Sequence, residues 1–156
     1  MKERKIFRYV EKRLYSYPSN MENLRKVREQ LEVLREACSV HGLNYDAIRS
    51  GGGLYSDPVS EYFDQVSRAE RTVAKLTCRV EPVIALIEDI YNPEGLDVER
   101  NAYHLTLLEK FYFQKIPMTE LLRLTHWSRS AFYARRYDLV QRAESTCGCD
   151  YGYQEY

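Results

Sequence analysis

Between Val59 and Ile90, ten apolar residues recur at alternating spacings of three and four: Val59, Tyr62, Val66, Ala69, Val73, Leu76, Val80, Val83, Ile87 and Ile90. No charged residue occupies the series. That spacing keeps one stripe of an α-helix apolar and is incompatible with a strand, whose faces alternate every second residue. At 1.5 Å per residue, the stripe belongs to a helix roughly 48 Å long. Asp57 suits its N-cap and Pro58 its first position. Pro82 lies inside and predicts a kink, because it removes a backbone donor and crowds the preceding turn.

A stripe this long has to be covered. Leu24, Val27, Leu31, Leu34, Cys38 and His41 follow the same repeat, so a 20–41 helix can pack on it as an antiparallel hairpin. Ser19 and Glu22 fit a capping box that opens this second helix. A first helix is expected over about 3–16, with Ile6, Val10, Leu14 and Tyr17 on one side, ending near Tyr17-Pro18. The 20–41 helix is too short for the whole stripe. Leaving Val83, Ile87 and Ile90 in water forgoes about 1.5–3 kcal/mol for each large side chain. The C-terminal helices are one candidate cover. A second protomer is the favoured one, which makes a homodimer the expected oligomer.

The remaining punctuation divides the chain. All seven glycines fall outside the helical patterns. The polar 42–57 loop holds the run Gly51-Gly52-Gly53, and Asn92-Pro93-Glu94-Gly95 forms a turn. We therefore expect an all-α protein with a helical, coiled-coil-like domain over 1–91. A C-terminal unit over 96–143 and a flexible tail over 144–156 follow it. The C-terminal unit reads as helices of about 98–114 (Val98, Ala102, Leu105, Leu108, Tyr112), 119–125 and 128–143, with a break at Ile116-Pro117. Three helices in so short a span make a helix-turn-helix layout.

Charge separates the same regions. The formal net charge is zero, yet residues 1–14 carry six basic and two acidic groups, and residues 110–142 carry seven basic and two acidic. Residues 15–109 hold ten basic against sixteen acidic, and 143–156 three acidic. A polyanion meets the two basic regions rather than the average.

The second of these contains MTELLRLTHWSRSAFYARRYDLV. Leu121, Leu122 and Leu124 give the first helix of the motif an apolar surface, and Trp127 falls where the turn plugs the core. Ser128 is a natural N-cap, which leaves the following N–H groups pointing at an anion. Phe132 anchors the second helix inward. Ser128, Arg129, Ser130, Tyr133 and Tyr137 then face outward, where arginine can read guanine bidentately and the hydroxyls can contact bases or phosphates. Arg123, Arg135, Arg136 and Arg142 suit phosphate contacts, and Thr119 completes the candidate surface. His126 stands in the turn where glycine is common.

Three stretches carry a family resemblance: VEKRLYSYPSNMENLRKVREQLE, GGGLYSDPVSEYF leading to VIALIEDIY, and SRSAFYARRYDLV. In order and spacing they resemble the phage and prophage late-gene transcriptional regulators of the ArpU/RinA type. Those proteins end in a helix-turn-helix similar to sigma-factor region 4. The resemblance implies a sequence-specific activator of phage late genes. It also implies double-stranded promoter DNA and host RNA polymerase as partners. The reading from another class is a phage structural, assembly or packaging protein whose coiled coil is the working part.

Other chemistry finds little support. Histidines 41, 104 and 126 stand beside no nucleophile or paired carboxylate, so no enzyme activity and no cofactor are expected. The glycine run lacks the lysine and Ser/Thr of a phosphate loop. Cys147 and Cys149 lack a second ligand pair, so free thiols in the tail are expected rather than a metal site. No apolar run reaches about 18 residues, and MKERKIFRYVEKR has no signal core. A cytoplasmic protein is expected.

Overall fold

The computed structural model describes residues 2–40, 58–92 and 97–147. Among these the chain is all helical, without a strand, as the periodicity requires. In order come α1 (Lys2–Val40), α2 (Pro58–Tyr91), α3 (Val98–Thr106) running into a π-helical turn (Leu107–Phe113), α4 (Met118–Thr125) and α5 (Arg129–Cys147). None of these helices is long and apolar enough to cross a membrane. His41 and the 42–57 loop with its glycine run lie outside the described residues, as do most of the 92–95 turn, Cys149 and the end of the tail.

α1 corrects the expected pair of N-terminal helices. It is continuous through Pro18, and the capping box at Ser19 is not used. Glu22 instead turns forward, accepting from Arg25 Nη2 at 2.9 Å with Lys26 Nζ 3.4 Å away. Hydrogen bonding by Arg25 lowers its carboxyl to about 2. Proline inside a helix costs roughly 3 kcal/mol, which local sequence alone would avoid by breaking. Tertiary burial outweighs that penalty here. Leu14 is fully buried, Tyr15 meets Tyr112 edge-on at 4.7 Å, and Tyr17 packs on Phe113 at 5.0 Å.

The chain forms two compact units: residues 1–20 with 79–156, and residues 21–78. In the 21–78 unit, Leu24, Leu31 and Leu76 are buried. The Tyr62 hydroxyl donates to the Leu34 carbonyl at 2.9 Å, and Arg35 pairs with Glu70 at 3.0 Å. Val33, by contrast, is 64% exposed.

The larger core joins Val10 and Leu14 of α1 and Val83, Leu86 and Ile90 of α2 to the C-terminal helices. The end of the apolar stripe is thus covered within one chain, so the exposed seam that motivated a second protomer is not there. Covering from two sides also widens the stripe, for Leu86 is fully buried while Ile87 is only half-buried.

The C-terminal region departs from simple helical spacing at the π turn. Gln114 N donates to Glu109 O at 2.9 Å, a span of five residues. The longer repeat puts Leu107, Leu108 and Tyr112 inward together. Val98 and Ala102, expected on the same inward face, precede the turn and are exposed, Val98 to 78%. Lys115 ends the turn with φ 57°, ahead of Ile116-Pro117. α5 runs past the expected start of the tail: Ala143 and Cys147 are fully buried, and Arg13 Nη1 donates to the Cys147 carbonyl at 2.8 Å.

If burial on both sides holds α1 through its proline, Pro18→Ala restores a backbone bond with no loss of packing. Chemical denaturation is then expected to show a gain of roughly 1–3 kcal/mol. An unchanged or lower stability contradicts the continuous helix.

Candidate nucleic-acid interface

α4 and α5 are joined by three residues, 126–128. His126 takes the left-handed conformation, φ 55° and ψ 26°, that ends α4. This is the position at which glycine is favoured, and histidine occupies it at some conformational cost. Trp127 is half-buried against the core. Ser128 caps α5, its Oγ accepting from Ala131 N at 3.1 Å. Phe132 is buried and meets Phe111 edge-on at 5.1 Å. Cap, plug and anchor stand as their residue types predict.

The outward residues divide into two groups. Thr119, Arg123, Ser128, Arg129 and Ser130 are exposed, and Tyr133 and Tyr137 expose 52% and 54%. Neither Arg123 nor Arg129 pairs with a described carboxylate. Ser130 Oγ lies 3.0 Å from Ser128 Oγ. Tyr137 stacks on Phe7 of α1, ring centroids 6.0 Å apart. Leu124, expected to be buried, is 50% exposed beside them.

The second group consists of arginines committed to the fold. Arg136 binds Glu11 through two hydrogen bonds, Nε to Oε1 at 2.7 Å and Nη2 to Oε2 at 2.9 Å. Burial works against its charge, but the Glu11 bonds and charge outweigh it and raise its pKa. The buried Tyr112 hydroxyl donates to the same carboxylate at 2.9 Å. Arg135 is sandwiched by Trp127 at 4.3 Å and Tyr103 at 5.0 Å, with its Nη1 buried and unbonded. Arg142 donates to Asp89 at 2.7 Å and to Asn101 at 2.7 Å. None of the three presents a free guanidinium for a phosphate, contrary to the expectation from charge and spacing. Charge alone could not reveal this, since their carboxylate partners lie up to 125 residues away.

Sequence reading also missed a polar network between α3 and α5. Asp138 accepts from Arg100 at 2.6 and 2.8 Å and from the Tyr103 hydroxyl at 2.8 Å. The Arg100 hydrogen bond comes first among the causes that hold the Asp138 carboxyl below its ordinary value. His104 is fully buried, with Nε2 3.1 Å from Asp138 Oδ2 and Nδ1 3.2 Å from Arg142 Nη1. Arg142 can only donate and the carboxylate can only accept. The imidazole is therefore neutral, with its proton on Nε2. Protonating Nδ1 would turn a donor toward the guanidinium. Burial, helped by Arg142 and Arg100 against the pull of Asp138, lowers the His104 pKa to about 4. No group of three or more metal-ligating side chains forms among the described residues.

Comparison with known protein families, with characterised proteins and with solved structures finds no match in any of the three.

The His104 network has a pH signature. The folded value near 4 lies below the ordinary 6.5, so the unfolded chain takes up this proton first. The stability from keeping His104 neutral is complete above pH 6.5 and is lost as pH falls toward 4. At about 1.4 kcal/mol per unit, the loss is on the order of 2–3 kcal/mol. His104→Gln keeps a donor for Asp138 and an acceptor for Arg142 without titrating. Its melting temperature should fall less than the wild type's between pH 7 and 4.5, and parallel slopes would refute the assignment.

Proposed function

We propose that this protein is a sequence-specific binder of duplex DNA that regulates transcription, an activator of phage late genes in the host cytoplasm. The observation that carries the reading is the N-terminal half of α5. A capped helix start presents Arg129, Ser130 and Tyr133 to solvent directly after a three-residue turn. An exposed arginine flanked by hydroxyls matches the donor pattern that reads base edges in a major groove. Exposed Arg123 on α4 and Thr119 near its start supply the contacts to the neighbouring backbone in this reading. The late-gene role and contact with host RNA polymerase follow from the family resemblance. A homodimer reading two half-sites is part of the proposal, with exposed Val33 and Phe63 as candidate contacts.

Selection of preferred sequences from random duplex DNA tests the reading, and a defined consensus is expected. Arg129→Ala should relax preference at one position, by about 1–3 kcal/mol, and leave stability unchanged. Arg136→Ala should do the opposite. It strands Glu11 in a nearly buried position and lowers stability by roughly 2–4 kcal/mol, with the consensus intact at temperatures where the protein stays folded. Recovery of no consensus, with weak binding blind to sequence, favours an assembly protein.

A further inference from the structure

The fold brings the two basic segments, 1–14 and 110–142, into the same compact unit. Where the first turns of α1 meet the outer half of α5, a groove of about 450 Å³ opens, lined by Arg4, Phe7, Arg8, Tyr137, Gln141 and Glu144 among others. Arg4 and Arg8 are exposed and pair with no described carboxylate. Phe7 and Tyr137 of its lining stack on each other, and more than half of Tyr137 remains in solvent. This surface has two cations without a described carboxylate partner, the Gln141 amide donating to the Tyr137 hydroxyl at 3.1 Å, and an aromatic stack. We propose that it is a second DNA contact, in which Arg4 and Arg8 grip the phosphate backbone flanking the groove that α5 occupies.

Helix geometry gives the placement. Gln141 lies twelve residues beyond Arg129, roughly 18 Å along the axis. The major groove is about 12 Å wide, so when the start of α5 meets the bases its outer half lies over the bordering strand. α1 brings its cations to that point from outside the helix-turn-helix. Glu144, a carboxylate on the groove wall, opposes this contact. It sets the direction of a second test.

This inference rests on the duplex-DNA reading, and the experiment separates the two. Binding of the full-length protein to its selected duplex is measured across a salt series. The Arg4→Ala/Arg8→Ala double variant is expected to lose about tenfold in affinity for every sequence alike. Its log–log salt slope should be shallower by roughly 2, one counterion release for each lost phosphate contact. The preferred sequence should not change. Glu144→Gln should bind more tightly. Both changes are at exposed positions, and unchanged melting temperatures verify the fold. Wild-type affinity and slope in the double variant overturn the second contact while leaving the α5 reading standing. Failure of the wild type to bind duplex DNA overturns both.

Discussion

Glu11 is the point on which the C-terminal unit turns. Its carboxylate accepts two hydrogen bonds from Arg136 of α5 and one from the buried Tyr112 of the π turn. One side chain of α1 is thereby tied to two other elements. With the Glu11 side chain 13% exposed and Arg136 25%, both charges are largely out of water, and neither is tolerable there without the other. Such a pair adds little net stability over an apolar contact, but it penalises every packing that separates the partners. The aromatic contacts around it, Tyr15 on Tyr112 and Phe111 on Phe132, supply apolar burial that alone would tolerate several registers. Attraction comes from the rings and register from the carboxylate.

A second carboxylate plays the same part on the other side of α5. Asp138 collects Arg100, Tyr103 and His104 from α3, and Arg142 links His104 to Asp89 of α2. α5 is therefore held from α1, α2 and α3 by directional bonds, while Arg129 and Tyr133 at its start stay exposed. A helix meant to present side chains to another molecule benefits from that division, because rotation about its own axis would aim every one of them elsewhere.

The sequence made the helical class legible, because periods of three and four over long stretches have no other solution. It also made the cap at Ser128, the anchor at Phe132 and the plug at Trp127 legible, since each depends on neighbours within a few residues. What it hid was non-local. Pro18 reads as a terminator until burial of Leu14 and Tyr17 is known to outweigh it. The π turn breaks the spacing that would link Val98 and Ala102 to Tyr112, so Val98 looked like core and His104 did not. Arg135, Arg136 and Arg142 were indistinguishable from Arg129 by type and spacing. Their roles follow from Tyr103, Glu11 and Asp89, which no local pattern connects to them.

That last distinction changes how the basic composition of the C-terminal segment should be weighed. Residues 110–142 hold seven basic groups, but Arg136 and Arg142 are matched by Glu11 and Asp89, and Arg135 is sandwiched between aromatic rings. The positive field around α5 is therefore smaller than the count implies, and Arg123 and Arg129 contribute most of what is left near its start. The N-terminal segment shows the converse. Glu11 is absorbed by Arg136, while Arg4, Lys5, Arg8 and Lys12 stay exposed. Folding thus moves the centre of positive potential toward α1, away from the segment whose sequence first suggested it. Charge density along the chain points to α5 alone, whereas the pairing of charges in space leaves exposed cations on both helices.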